Sequence, residues 1–386
     1  MTLKANQFMD VTICTNCIYD SRVASISFNI KGVCNYCEQI DELTELYQTG
    51  KEFGEVSFKK ILAQIRNHGK GKKYDCIIGV SGGTDSSYLL YAAKELWGLN
   101  PLAVHYDNTW NTAVASMNIE RMLTNLEIDL YTHVVANQEM DDIFRAFFVS
   151  GVAEIEGPTD LGYAYVLRQA AQKFKVKYIL EGHSFREEGI TPLGRNYFDG
   201  RYIKSIHQKF GLRKMETYPL MTLSRFLFSC IWIRPKFIRP LWYIQYTKQD
   251  ARELLTRRFD WQYYGGHHLE NRMTTFLHQI YLPLKFNTDM RNNTLSAEVR
   301  NGYKERTTAL VEYNTPQPLP KEVVEYFCKR LNLEEDWFWE KMKETPKSWQ
   351  EFPTYKKTFE RLRYLFLILA KANLVPMSFY LKYCKI

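Results

Sequence analysis

The chain has 386 residues, of which 45% are hydrophobic and 24% are charged. This length is enough for two or three domains with cores of their own, and the composition excludes a disordered or fibrous protein. The 51 basic and 43 acidic residues give a net charge of +8, which suits a phosphate-bearing small molecule as well as nucleic acid. No apolar run reaches the ~18 residues of a membrane span and no secretory signal follows Met1, so we expect a cytoplasmic protein without a membrane span.

The first motif in chain order is a pair of Cys-x2-Cys knuckles, Cys14 with Cys17 and Cys34 with Cys37. Two knuckles at this spacing offer four thiolates to one tetrahedral zinc ion. The alternatives are a redox pair or two disulfides, and disulfides do not suit a cytoplasmic chain. Four thiolates leave no open position for catalysis, so we expect structural zinc that folds a domain over 1–45. The other cysteines are dispersed, and we expect them to be buried apolar residues: Cys76, Cys230, Cys328 and Cys384.

A charged helical connector is predicted over 38–70, and strands then alternate with helices. The strands are predicted at 75–80, 101–106, 130–135 and 177–181, and the helices at 85–97, 112–126, 138–149 and 159–174. Short apolar strands that alternate with helices predict an α/β fold with a doubly wound parallel sheet, which binds ligands above the carboxyl ends of its strands. After about residue 195 the pattern is irregular, and from about 248 to 370 it is again helical. We therefore predict an α/β domain over 46–195 and a mostly helical substrate or partner region over 196–386.

The most informative motif is Ser81-Gly82-Gly83-Thr84-Asp85-Ser86, which lies between the first predicted strand and its helix. The glycines allow a close approach of the backbone to an anion, and the helix N-terminus and the hydroxyls add donors for phosphate. The turn has no lysine, so it does not match the GxxxxGKS/T pattern. It matches the SGGxDS signature of the PP-loop ATP pyrophosphatases, whose fold is adenine nucleotide alpha hydrolase-like. That resemblance implies that ATP is cut between its α and β phosphates, and all six loop residues are assigned to ATP binding.

Two further strand ends are expected beside this loop. They carry Asp107 and the run from Glu181 to His183, and we assign Asp107 and Gly182 to nucleotide binding. A simple turn is the alternative for Asp107. We assign catalysis to Ser81, Asp85 and His183, with Asp85 bridging Mg²⁺ to the ATP phosphates. Helix capping is the structural alternative for Asp85, and the next residues, 186–188, suit metal, phosphate or sugar as well as a solvated loop.

The segment that begins at Gly265 and Gly266 combines flexibility with hydrogen-bond donors. The guanidinium groups of Arg272 and Arg291 suit bidentate binding of a substrate pyrophosphate. A metal site at the histidine pair has no third ligand at a fixed spacing to support it. The residues assigned to substrate binding are His267, His268, Arg272 and Arg291.

Over most of its length the chain resembles the N-acetyl sugar amidotransferase family. Four stretches carry the resemblance: the two cysteine knuckles, Val80 to Ser86, Leu180 to His183, and Phe259 to Glu270 with its continuation Tyr281 to Phe286. One departure is Phe28-Asn29-Ile30, where the family usually has Phe-Asp-Glu, and it affects only the turn chemistry near the zinc. The resemblance implies an AMP-forming ligase of bacterial lipopolysaccharide or O-antigen biosynthesis. Such an enzyme adenylates the acetamido oxygen of a nucleotide-linked N-acetyl sugar and replaces it with ammonia, giving an acetamidino sugar.

The source of the ammonia is not apparent in the chain. Position 2 is Thr2 rather than a nucleophilic cysteine, and no GxCxGxQ-like segment of a glutaminase is present. The resemblance implies a separate glutaminase subunit together with a cyclase-like subunit that conducts ammonia.

Two other functions remain open from the sequence. One is tRNA modification, by thiolation or of the lysidine type, although the absence of cysteine between Leu102 and Gly189 weighs against thiolation. The other is a non-catalytic subunit that binds zinc and nucleotide within an assembly. The preferred function involves no nucleic acid.

Overall fold

The computed structural model describes residues 11–190, 196–266, 269–372, 375 and 377–384. Its sheet has five parallel strands in the order β3-β2-β1-β4-β5. The predicted strands and the parallel doubly wound fold are confirmed. The strands are β1 Cys76–Gly79, β2 Pro101–Asp107, β3 Leu130–Val134, β4 Tyr178–Leu180 and β5 Lys236–Ile238.

The helices surround this sheet and build the C-terminal half of the chain. None of them, in the described residues, is long and apolar enough to cross a membrane. In chain order they are α1 Asn35–Tyr47, α2 Glu52–Gly69, α3 Thr84–Tyr91, α4 Ala113–Leu126, α5 Asn137–Ser150, α6 Gly157–Lys173, α7 Phe185–Glu188, α8 Gly200–Phe210, α9 Leu223–Phe228, α10 Lys248–Phe259, α11 Arg272–Phe276, α12 Leu282–Phe286, α13 Arg291–Arg300, α14 Arg306–Asn314, α15 Lys321–Leu331, α16 Glu335–Lys343, α17 Lys356–Arg361, α18 Arg363–Lys371 and α19 Met377–Phe379. Single π-helical turns at Ala92–Leu96, Ser229–Ile233, Leu277–Tyr281 and Tyr380–Cys384 follow α3, α9, α11 and α19, and 3-10 turns lie at Pro240–Trp242 and Trp349–Glu351.

The central strands β1, β2 and β4 are buried on both faces because their side chains alternate between two cores. Ile77, Leu102 and Ile179 point into one core, which is shared with α5, α6, α8 and α15. Ile78 and Leu180 point into the other, which is shared with α2, α3, α4 and α10. The chain leaves β1 towards β2 and β3 on one side, and reaches β4 and β5 on the other. The carboxyl end of β1 is therefore the switch point at which ligands bind in sheets of this kind.

The fifth strand comes from the stretch in which the sequence pattern is irregular. β5 has only three residues, and Lys236 at its start is exposed, so it lacks the apolar run that identifies β1. Its pairing is regular, with Tyr178 opposite Lys236 and Leu180 opposite Ile238. The region over 196–386 thus completes the sheet of the preceding region. The three domain ranges themselves stay predictions.

Candidate active site and metal centre

The predicted phosphate loop joins β1 to α3 and is shaped by its glycines. Gly82 has a φ of +81°, and a Cβ atom there would lie 2.3 Å from the carbonyl oxygen of Ala115. Only glycine fits this position. The Gly83 N–H donates to Ser81 Oγ at 3.2 Å, which closes the turn before the first residue of α3. The loop therefore has the strand–turn–helix geometry of an anion site.

The loop borders a cavity of about 760 Å³ at the carboxyl ends of β1, β2 and β4. Asp107 is absent from the wall: its Oδ1 accepts the N–H of Thr109 at 2.7 Å, which is the turn role, and Asn108 reaches the cavity instead. Gly82 does not line the cavity either, because it faces the backbone of Ala115. The predicted residues that line the cavity are Ser81, Gly83, Thr84, Asp85, Ser86, Gly182 and His183.

The side chain of Thr84 is suited to bind a ligand in this cavity. It is buried, and its Oγ1 has no hydrogen-bond partner within the part of the chain that the structure describes. A buried hydroxyl without a partner costs about 1–3 kcal/mol. Because Thr84 stands at the N-terminus of α3 and lines the cavity, a phosphate oxygen is a suitable acceptor for this hydroxyl.

The loop has no lysine of its own, but α10 supplies one. Lys248 is the first residue of α10, and its Nζ lies 3.1 Å from Asp85 Oδ2 and 3.0 Å from Glu188 Oε1. Its side chain is only 13% exposed. Tyr246 donates its hydroxyl to Asp85 Oδ1. Lys248 thus places an ammonium group beside the loop, which suits it to bind phosphate as a point charge.

The protonation of this network follows from burial and from its opposite charges. Burial raises the pKa of Asp85 to about 6, and the attraction of Lys248 limits that rise. Burial alone would lower the pKa of Lys248, but the carboxylates of Asp85 and Glu188 outweigh it and raise this pKa above its ordinary value. At neutral pH the network therefore holds an ammonium ion between two carboxylates.

His183 lies at the edge of the cavity as a neutral hydrogen-bond donor. Burial lowers its pKa, so the imidazole is uncharged at neutral pH. The indole N–H of Trp242 donates to Nδ1 at 3.3 Å, which leaves the ring proton on Nε2. That nitrogen lies 3.7 Å from Glu188 Oε2. The catalytic role of His183 stays a prediction, and this geometry suits a donor better than a base.

The opposite wall of the cavity begins at Glu270. Ser81 donates its hydroxyl to Glu270 Oε1 at 3.4 Å. The next residue, Asn271, caps α11 and donates from Nδ2 to the side-chain oxygens of Asn108 and Asn111, each at 3.0 Å. The two residues that precede α11 therefore attach this helix directly to the loop and to the end of β2.

Two of the residues assigned to substrate binding, Arg272 and Arg291, make contacts away from this cavity. The Arg272 guanidinium stacks over Tyr326 at 4.4 Å. Arg291 pairs with Asp289 at 2.6 Å and donates to the backbone carbonyl of Tyr313 at the C-terminus of α14, so it makes structural contacts. Neither of these arginines lines the 760 Å³ cavity. His267 and His268 lie outside the described residues.

The four knuckle cysteines form one buried cluster. The Sγ atoms of Cys14 and Cys37 are 3.9 Å apart, those of Cys17 and Cys34 are 3.8 Å apart, and all four lie within 4.8 Å of one another. A single ion with metal–sulfur bonds of about 2.3 Å requires separations of about 3.8 Å in a tetrahedron. The N–H groups of Asn16 and Cys34 point at Cys14 Sγ, which suits a thiolate. The donor set therefore fits one tetrahedral ion such as zinc.

The cluster is held against the C-terminal helices by Arg306, the first residue of α14. Its guanidinium donates to the backbone carbonyls of Cys14 and Cys17 at 2.7–3.1 Å. Asn29, at the departure from the family pattern, closes the turn before the second knuckle by accepting the N–H groups of Lys31 and Val33. The dispersed cysteines are buried, as predicted, and none of them lines the cavity in the described residues: Cys76, Cys230, Cys328 and Cys384.

The sheet order, the loop at its central strand, the four-cysteine cluster and the helical C-terminal region define the class by its fold, a parallel α/β sheet with a PP-loop at the switch point. Residues 270–365 match the family model described as LPS biosynthesis protein WbpG-like, C-terminal domain. That match begins at Glu270, the residue that contacts Ser81 of the loop. The predicted resemblance is confirmed to this extent, as a PP-loop fold with a WbpG-like C-terminal region.

The chain is also similar to individual proteins over part of its length. The uncharacterized protein MJ1599 of Methanocaldococcus jannaschii is 30% identical over 175 residues, which cover 44% of this chain and 58% of that protein. NMN synthetase from Francisella tularensis is similar over 75% of this chain and 97% of its own, with 14% identity and a TM-score of 0.30. NH3-dependent NAD synthetase from Campylobacter jejuni is similar over 67% and 95%, with 13% identity and a TM-score of 0.32. TM-scores this low add nothing to the assignment, which depends on the sheet order and the loop.

Proposed function

We propose that this chain is an AMP-forming amidotransferase that converts the acetamido group of a nucleotide-linked N-acetyl sugar into an acetamidino group for lipopolysaccharide biosynthesis. The observation that carries the proposal is the contact between Ser81 and Glu270. Through this contact the phosphate loop and the start of the WbpG-like region line one cavity, which supports the proposal. The family that matches this region is one of lipopolysaccharide biosynthesis, and the loop would supply the activation that an unreactive amide needs.

In the first step the acetamido oxygen attacks the α-phosphorus of ATP. The bond from that phosphorus to the oxygen bridging to the β-phosphate breaks, and pyrophosphate leaves with the electron pair. The loop N–H groups, the Thr84 hydroxyl and the Lys248 ammonium stabilise the charge on the departing pyrophosphate. Ser81, which accepts the Gly83 N–H and donates to Glu270, keeps the loop in this geometry.

In the second step ammonia attacks the carbon of the O-adenylated imidate, whose nitrogen still carries the proton of the original amide. One proton of the ammonia passes to a base, the carbon–oxygen bond breaks, and AMP leaves with its electrons. The product is an amidinium group on the sugar. The adenylate is consumed by any water that reaches it, so the bound substrates would have to exclude water from the cavity to protect the intermediate.

The residues of the site also suit Mg²⁺, because Asp85 and Glu188 offer the hard carboxylate oxygens that this ion prefers. Magnesium, when bound with ATP, neutralises phosphate charge. The four-cysteine cluster would hold structural zinc. Ammonia would come from a separate glutaminase through a cyclase-like subunit, because the sequence has no glutaminase motif of its own.

The test is pyrophosphate release by the full chain with ATP, ammonium and a panel of UDP-linked N-acetylhexosamines. We expect release that requires both the sugar nucleotide and ammonium, and a product lighter by the difference between an oxygen atom and an NH group. Release that is stimulated by tRNA alone would replace the sugar substrate with tRNA. ATP binding without release under any condition would instead support a non-catalytic assembly subunit.

A further inference from the structure

A second cavity, of about 960 Å³, adjoins the 760 Å³ cavity beside the loop, which is the proposed ATP cavity. Most of its lining residues lie between 278 and 322, within the WbpG-like region, whereas the first cavity is built mainly around the loop. The two cavities share five lining residues, Lys248, Arg252, Gly266, His278 and Met290. The two cavities therefore adjoin along this common wall.

The side chains of the second cavity suit a sugar ring. Tyr263 and Tyr303 line it and are 44% and 52% exposed, so each leaves a ring face available for stacking. The Tyr303 hydroxyl donates to Glu187 at 2.8 Å, and Arg252 stacks over Tyr263 at 4.1 Å, which fixes both rings in place. Gln279 adds an amide, which both donates and accepts hydrogen bonds, as sugar hydroxyls do.

The charges of this cavity argue against a polyanion lying along its length. The acidic residues Glu187, Asp289, Glu298, Glu312 and Glu322 line it, against the basic residues Lys248, Arg252, Arg291 and Lys304. Lys304 is already bound to Glu298 and Glu312, at 2.8 Å and 2.6 Å. The basic residues that also face the ATP cavity are Lys248 and Arg252. The wall that the two cavities share therefore suits phosphate charge. The remainder of the second cavity suits an uncharged ring that carries several hydroxyl groups.

We infer that the second cavity binds the acetamido-sugar ring of the acceptor, with its acetamido group directed across the common wall towards the ATP cavity. This inference rests on the proposed function and adds the location of the acceptor. It also separates the two substrates: the sequence over 81–86 binds the ATP phosphates, and the WbpG-like region selects the sugar.

The test compares KM values for the sugar nucleotide and for ATP in Tyr303→Ala and Gln279→Ala. Both changes should raise the KM for the sugar nucleotide at least about fivefold, because the first removes a ring face for stacking and the second removes a side-chain amide that hydrogen-bonds to hydroxyl groups. The KM for ATP and the KM for ammonium should not change. Tyr303→Phe keeps the ring and should have the smaller effect. Tyr364→Ala, at an exposed tyrosine of α18 that lines neither cavity, is the matched control.

Calorimetry with UDP-N-acetylglucosamine and UDP-N-acetylgalactosamine, without ATP, gives a readout that does not depend on turnover. Binding by the wild type that weakens in Tyr303→Ala supports the inference. Sugar-dependent pyrophosphate release with an unchanged sugar KM in both alanine variants overturns the inference and leaves the proposed function standing. The absence of any sugar-dependent release from the wild type overturns the proposed function itself.

Discussion

Lys248 holds together a buried ion-pair network and also has a role in the proposed reaction. Its ammonium lies between two buried carboxylates, Asp85 and Glu188, and stands beside a phosphate loop that has no lysine. Removing one partner from a buried charge network leaves the others uncompensated, so we expect this position to be important for stability as well as for the proposed reaction. Its distance in sequence from the loop explains why no local motif includes it.

Lys248→Met should lower the rate of pyrophosphate release at least about 100-fold, because the departing pyrophosphate loses a preorganised cation. We also expect a lower melting temperature, since Asp85 and Glu188 then face each other without a counterion. Lys73→Met removes an exposed lysine that pairs with Asp129 at 2.9 Å, and it should change neither quantity. Release within a few fold of the wild-type rate would remove Lys248 from the mechanism.

Glu154 lines the 760 Å³ cavity, and the protonation of its carboxyl group should make the free energy of unfolding depend on pH. Burial raises its pKa from 4.5 to about 7, against hydrogen bonds from the N–H of Tyr197 and the hydroxyl of Tyr202. A carboxyl whose pKa is raised on folding contributes stability that is complete below about pH 4.5 and is lost as the pH rises through 7. Glu154→Gln should therefore stabilise the chain at pH 8 by up to about 3 kcal/mol, and by less at pH 6. Thermal melts from pH 6 to 8 measure this, and a difference that does not vary with pH would contradict it.

At the scale of elements, the four-cysteine cluster and α14 form one structural unit. Arg306 at the start of α14 donates to the backbone carbonyls of Cys14 and Cys17, so the four-cysteine cluster serves as a support for the C-terminal helices. A cluster that is closed by four thiolates adds stability rather than chemistry.

Two variants separate metal binding from this attachment. Cys34→Ser should lower both the soluble yield and the zinc content, which metal analysis measures against an expected stoichiometry of one ion per chain. Arg306→Met should keep the metal and lower the free energy of unfolding by about 1–3 kcal/mol, because the carbonyl groups lose a charged donor. Zinc at full stoichiometry in Cys34→Ser would eliminate the four-cysteine site.

Local pattern predicted the elements whose signal lies in a few consecutive residues. The runs that form β1, β2 and β4 are apolar because both of their faces are buried, and the loop motif is contiguous, so the sequence shows both. β5 has three residues and an exposed lysine, and it is a strand only because β4 offers it an edge. Lys248 and Glu270 reach the loop through tertiary packing, which no spacing rule describes. Asp107 was assigned from its place at a strand end, where the chain instead needs a turn.

At the scale of the whole molecule, the predicted boundary at residue 195 crosses the sheet. β5 pairs with β4, α10 packs against α3, and the Trp261 indole donates to Ser87 at 3.1 Å, so the region over 196–386 supplies part of the core around the loop. The sheet and the C-terminal region therefore depend on each other for burial of their apolar surfaces.

A chain that ends at residue 195 should be insoluble or should melt without cooperativity, because the edge of β4 and one core are left uncovered. Co-expression of 196–386 should restore a soluble complex of the two pieces. Circular dichroism melts and limited proteolysis provide the measurement. A cooperative melt of 1–195 alone would show that this range is an independent domain.

The late arrival of β5 affects how the protein is made. During translation the ribosome releases β1 to β4 before β5 exists, so the hydrogen-bonding groups along β4 remain open while the following segment is synthesised. An open strand edge recruits other chains, and the exposed Lys236 of β5 later protects the finished sheet from such pairing. We therefore expect the yield of this protein in a cell to depend on how quickly residues 181–238 emerge from the ribosome, as well as on the stability of the folded state.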